Sequence, residues 1–152
     1  MLAELLDFEL IRLNLEATSR DEALRELVGI LKINEKARAL ILNLLVEREK
    51  LGSTGIGKGV AIPHCRSLIL NKLTVAVGRF PKGVEFDAMD KKSSHLFFLV
   101  AAPPKDKGNQ YLLTLGAIAK VAKDMGKNDK LCTAHTTEEF LARLKEIEAK
   151  GK

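Results

Sequence analysis

Seven consecutive apolar residues, Leu96 to Ala102 (LFFLVAA), set the strongest constraint on the fold. Successive side chains of a strand point to opposite faces, so a strand of this sequence is apolar on both. It needs cover on each side, which is the situation of a central strand in a sheet with helices packed above and below.

The rest of the chain supplies that cover. Ser19 followed by Glu22 forms a capping-box pattern opening a helix, with Leu24, Leu27, Val28 and Leu31 on one face. Asn34 caps a second helix with a stripe of Ala37, Leu40, Ile41, Leu44 and Leu45, ending near Lys50 where the glycines begin. A third helix runs from Gln110 to Asp124 with Tyr111, Leu115, Ile118 and Ala122 at helical spacing. Thr136 and Glu139 make a further capping box for a last helix carrying Phe140, Leu141, Leu144 and Ile147. Alternation predicts strands over Leu10–Leu15 and Leu73–Phe80, then a turn at Pro81-Lys82-Gly83 and a short strand at Val84–Phe86. No linker or repeat interrupts the 152 residues, so the expectation is one α/β domain, a mixed β-sheet flanked by α-helices on both faces.

Composition narrows the function. No apolar run approaches the roughly 20 residues needed to span a bilayer, and the acidic residues in MLAELLDFELIRL do not match a secretory signal. Two cysteines, Cys65 and Cys132, are too few for a disulfide framework, so the expectation is a cytoplasmic protein without membrane insertion. The net charge of +5 is dispersed: Lys82, Lys91, Lys92, Lys105 and Lys107 lie among Asp, Gly and Pro, the pattern of solvated loops. A nucleic-acid binder would gather them into a stripe with aromatic platforms.

Chemistry concentrates in Arg48 to Arg66, REKLGSTGIGKGVAIPHCR. Gly52 to Lys58 spells a nucleotide-loop pattern, but Gly59 stands where Ser or Thr would hold magnesium, and the segment follows a helix instead of a strand. His64-Cys65 and Cys132-x-x-His135 are poor zinc pairs, since adjacent side chains diverge; Cys132 reads as a small buried residue, and no metal is expected. The same divergence argues against Cys65 as a nucleophile with His64 as its base. A histidine nucleophile beside an anion cradle fits better. Ser53, Thr54 and Gly55 can turn backbone N–H groups and hydroxyls toward one point. A neutral imidazole nitrogen can accept a phosphoryl group near neutral pH, and Pro63 stiffens the approach to His64. Arg48 continues the apolar stripe into the last helical turn, as either an anion ligand or a cap on the helix dipole.

The run R-E, then L-G-S-T-G-I-G-x-G-V-A-I-P-H, resembles the active-site region of the mannitol/fructose class of enzyme IIA domains of the phosphoenolpyruvate-dependent sugar phosphotransferase system, including its nitrogen-related regulatory members. VAVGRFPKGVEFDAMD and LFFLVAAPPKDKGNQYLLTLGAIAKVAKD resemble the segments that follow in that family, so the likeness covers nearly the whole chain. The resemblance implies a mixed sheet flanked by helices and His64 as the phosphorylated residue. The donor it implies is the histidine-containing phosphocarrier protein, charged in turn by enzyme I. Arg48 would match the family's phosphate-holding arginine and Thr54 the threonine of its cradle, and no cofactor is implied.

Two positions depart from the family pattern. Tyr111 stands where a second histidine is usual; its phenol can donate to phosphate but cannot become cationic, or it is simply the first core-facing residue of its helix. Cys65 stands where glycine usually follows the active histidine. The expected function is a phosphoryl carrier whose state controls a target protein. The alternatives are a sugar-specific IIA passing phosphate to a separate IIB protein, or an interaction module that is not phosphorylated.

Overall fold

The computed structural model describes residues 1–125 and 130–151. In chain order it contains α1 (Leu2–Leu5), a 3-10 turn at Phe8–Leu10, β1 (Ile11–Arg12), α2 (Arg20–Ile30) and α3 (Glu35–Lys50). Then come β2 (Gly55–Gly57), β3 (Val60–Ala61), β4 (His64–Arg66), β5 (Thr74–Val84) and β6 (Ser94–Ala102). A 3-10 turn at Lys107–Asn109, α4 (Gln110–Met125), α5 (Lys130–Thr133) and α6 (Thr137–Lys150) complete it.

The six strands form one mixed sheet in the order β1-β5-β6-β3-β2, with β4 also on β6. β5 and β6 are antiparallel, whereas β1 on β5 and both β3 and β4 on β6 are parallel. Leu96 to Ala102 are all fully buried, as the apolar run requires. Leu96, Phe98, Val100 and Ala102 face a core shared with Tyr111, Ile118, Phe140 and Leu144 from α4 and α6. Phe97, Leu99 and Ala101 face the opposite core, with Leu24, Leu27, Ile41 and Leu45 from α2 and α3. Phe97 is the centre of that second core, edge-on to both Phe80 and Phe86 at centroid distances of 5.0 and 4.9 Å.

β3 and β4 are one strand in two pieces. Val60 and Ala61 pair with Leu96 and Phe97, and His64 to Arg66 pair with Val100 to Ala102. Between them Ile62 turns its N–H to the Thr54 carbonyl, and Pro63 has none to give. The Pro63 carbonyl still accepts from Val100, which keeps the two halves in line.

Several expectations are corrected. The strand over 10–15 shortens to Ile11–Arg12, because the Asp7 side chain caps a 3-10 turn and the Arg79 guanidinium takes the Leu13 carbonyl. Ser19 sits at the N-cap of α2 without a side-chain cap bond. Pro81-Lys82-Gly83 does not end its strand: β5 runs through to Val84, with a register shift between Arg79 and Val84 and Gly83 at φ +82°. Leu40 lies outside the buried stripe of α3. α1 has no counterpart among the expected elements; its Leu2 and Ala3 amides donate to Glu148 of α6. Asn34 and Thr136 do cap their helices through their side chains. Lys82, Lys91, Lys92 and Lys105 are exposed, and the Lys107 side chain lies outside the described residues.

Phe97→Ala is expected to cost about 3–5 kcal/mol of stability, since two aromatic contacts and a fully buried ring are lost together. A urea titration against wild type checks it; a loss no larger than that of a surface substitution would mean the core refills around the gap.

Candidate functional site

α3 delivers the first part of the site. Its buried residues, Ala37, Ile41, Leu45 and Glu49, recur every fourth position, so the carboxylate of Glu49 ends an apolar stripe. A buried charge needs partners. Thr54 supplies two, donating its backbone N–H to Glu49 Oε1 at 2.8 Å and its hydroxyl to Oε2 at 2.7 Å. Arg48, one residue earlier, lies off that stripe, half-buried, and its Nη1 donates to the Gly52 carbonyl at 2.7 Å.

The glycine segment is a β-hairpin. β2 and β3 pair antiparallel across Gly57, Lys58 and Gly59, all at positive φ (+89°, +57° and +79°). That left-handed path is what the two glycines make possible. Gly55 is needed for a different reason, since a Cβ there would lie 2.9 Å from that of Ala88. Amide groups of this region do bind anions, but the chain's own. The Asp90 carboxylate accepts from Lys58 N at 3.0 Å and Lys92 N at 3.1 Å, and those bonds hold it below the usual carboxylate range. The Ser53 hydroxyl donates to the Phe86 carbonyl and accepts the Gly55 N–H at 3.0 Å. The Ser53 hydroxyl, both Thr54 donors and the Gly55 N–H are therefore already used, by Phe86, Glu49 and Ser53.

His64 opens β4 at the broken strand, half-buried, with Nδ1 2.7 Å from the Ile62 carbonyl. A carbonyl can only accept, so Nδ1 carries the proton, and in the neutral ring the lone pair is on Nε2. Register then sorts the neighbours. His64 and Arg66 lie opposite Val100 and Ala102, on the α4 face, and Cys65 lies opposite Ala101, on the α3 face. Burial pushes the Cys65 thiol up to about 11.

Tyr111 closes the site from α4. The residue is 7% exposed, and its ring meets the His64 ring edge-on at 6.1 Å and 65°. The Arg66 guanidinium carbon sits 4.2 Å from the Tyr111 ring centroid. Burial pushes the phenol up to about 12, with a small opposing pull from the Arg66 and Arg48 charges. The fold thus gathers His64, Tyr111, Arg66 and the charge of Arg48, with Thr54 and Ser53 in the supporting loop.

Two residues of this site are not among those the sequence singled out. Glu49 was legible as the next fourth-position member after Leu45. Arg66 was not, because its place on the His64 face requires residues 64–66 to be a strand, and nothing local marks one.

Among the described residues no helix is long and apolar enough to cross a membrane. The family model described as "Phosphoenolpyruvate-dependent sugar phosphotransferase system, EIIA 2" matches residues 4–147. The chain is 35% identical over 121 residues to a nitrogen regulatory protein of Bradyrhizobium diazoefficiens, covering 77% of this chain and 76% of the relative. It is also 35% identical over 112 residues to the fructose-specific EIIA component of Haloferax volcanii, covering 72% of each. Against the fructose-specific EIIABC component of Bacillus subtilis it is 34% identical, covering 66% of this chain but spanning only 16% of that protein. The nitrogen regulatory protein IIA-Ntr of Neisseria meningitidis superimposes with a TM-score of 0.77 at 32% identity, covering 93% of this chain and 97% of its own.

Cys65 and Tyr111 give a pH dependence of defined sign. Both hold their protons in the folded state beyond their ordinary values of 9.0 and 10.0, so the unfolded chain ionises first. Their contribution to stability is complete below pH 9.0 and is lost as pH rises through about 11 and about 12. Urea midpoints on either side of pH 9.0 should fall toward alkaline pH, less steeply in Cys65→Ala and Tyr111→Phe. Equal slopes in all three proteins would contradict the burial of these groups.

Proposed function

The chain belongs to the EIIA 2 family of the phosphoenolpyruvate-dependent sugar phosphotransferase system, and on that premise we propose that it is a phosphoryl carrier whose state, at His64, controls a target protein. The observation carrying the chemistry is the Nδ1 contact to the Ile62 carbonyl, which fixes the tautomer and leaves the Nε2 lone pair as the nucleophile. Nε2 attacks the phosphorus of a phosphohistidine on the histidine-containing phosphocarrier protein. The donor N–P bond breaks as the new N–P bond forms, and the donor imidazole leaves with the bonding pair. His64 keeps its Nδ1 proton, and the positive charge that develops on its ring is stabilised by the Ile62 carbonyl.

Arg48 stands close enough to act on Tyr111 electrostatically, so its charge also bears on a phosphoryl group at His64. Thr54 serves by tying the hairpin to Glu49 of α3, and Ser53 by linking the Gly55 N–H to the Phe86 carbonyl. A phosphoryl group could use the Ser53 hydroxyl, the Thr54 donors or the Gly55 N–H only in exchange for the internal bonds they make now. Tyr111, neutral at physiological pH, supplies the inner wall.

The regulatory branch is favoured by similarity to nitrogen regulatory proteins over about three-quarters of the Bradyrhizobium chain and nearly all of the Neisseria one. A second reading, a sugar-specific IIA serving a separate IIB protein, is favoured by the comparably similar single-component fructose EIIA. The two differ in where the phosphate goes.

Incubation with phosphoenolpyruvate, enzyme I and the phosphocarrier protein should add one acid-labile phosphate, absent in His64→Ala, by intact mass. Phosphate that persists until a target protein is added supports the regulator, and rapid loss to a IIB protein supports the sugar carrier. No label in a folded chain with active donor would leave an interaction module. Arg48→Gln should label roughly tenfold more slowly, the effect of losing one charged contact; an unchanged rate would leave Arg48 as a helix cap alone.

A further inference from the structure

We propose that Arg66 is a phosphoryl-binding cation of the His64 site and that Tyr111 is the residue positioning it, an inference that rests on the phosphoryl-carrier reading. Three observations place Arg66 there. The parallel register of β4 on β6 puts it two residues from His64 on the same face of the strand. Its guanidinium carbon lies 4.2 Å from the centroid of the Tyr111 ring, the ring that also meets His64 edge-on. Tyr111 is itself fixed, with its ring buried and its backbone N–H donated to the Asp106 carboxylate.

Arg66 is also the less committed of the two cations. Thr54 and Gly55 spend their N–H groups on Glu49 and Ser53, and Arg48 spends one of its own on Gly52. Arg66 makes one long contact, Nη1 to the Pro104 carbonyl at 3.4 Å, and forms no ion pair among the described residues. A guanidinium anchored on the face of a ring keeps its planar fork for an anion while the aromatic contact limits its wandering. The ring of residue 111 thus adds positive charge to the site indirectly, by holding the charge of residue 66.

The test labels His64 with phosphoramidate, so that no protein donor is involved. The reagent's P–N bond breaks as the P–Nε2 bond forms, and ammonia leaves. Phosphorus NMR then follows the second ionisation of the bound phosphoryl group against pH, in wild type, Arg66→Gln, Arg66→Lys and Tyr111→Leu. A guanidinium beside the group favours the dianion, so Arg66→Gln should raise the midpoint by about one pH unit and slow labelling roughly tenfold. Arg66→Lys should fall between wild type and Gln. Tyr111→Leu should shift the midpoint the same way, and in the Arg66→Gln background it should add little, because the ring acts through the guanidinium. A labelled wild type whose midpoint and rate are unmoved in Arg66→Gln overturns this inference and leaves the carrier intact. A folded wild type that takes no label at His64 overturns both.

Discussion

β6 is buried on both faces, and because side chains alternate along it, any strand paired with it inherits a fixed division of residues between two cores. β4 is the strand for which this matters. Its register against Val100, Ala101 and Ala102 sends His64 and Arg66 toward α4 and Cys65 toward α3. A slip of one residue would reverse this, burying two polar side chains against α3 and turning a thiol toward the site. The hydrophobic effect, acting on the strand beside β4, thus decides which of three adjacent residues face the candidate site.

Charge is arranged around that division. The glycine-rich hairpin has the donors of an anion site, yet they are satisfied by internal carboxylates and a hydroxyl: Glu49 for Thr54, Asp90 for Lys58, Ser53 for Gly55. These bonds tie the hairpin to α3 and to the loop before β6, which fixes the chain leading to the broken strand and so the Ile62 carbonyl that selects the His64 tautomer. The cations come from elsewhere: Arg48 at the end of α3 and Arg66 at the end of β4, the latter over the Tyr111 ring that also meets His64. His64 is only half-buried and Arg66 is exposed. His64 is thus anchored at Nδ1 and remains partly open to solvent.

Such a site does not by itself distinguish a regulator from a sugar carrier, because both need the same nucleophile and the same anion stabilisation. The difference belongs to the surface that meets the acceptor. Similarity to both kinds of relative is the expected consequence of a shared family and fold.

The sequence by itself determined the layered α/β domain, because a seven-residue apolar strand can be buried only between two sets of helices. It determined the ends of α3 and α6 through Asn34 and Thr136, whose caps are local hydrogen bonds. It also marked His64, Arg48 and the glycine segment, since their residue types are unusual for a plain structural role. It did not reveal the continuous β5, whose Pro81–Gly83 has a local turn pattern but lies within the strand, where pairing with β6 shifts register between Arg79 and Val84. Nor did it reveal that the loop's donors face Glu49 and Asp90, or that Arg66 lies over Tyr111. Those depend on strand register and on the approach of α3 and α4 from opposite faces, which are contacts between segments far apart in sequence. Local patterns carry what neighbours along the chain enforce; the tertiary structure decided the rest, because only packing brings its partners together.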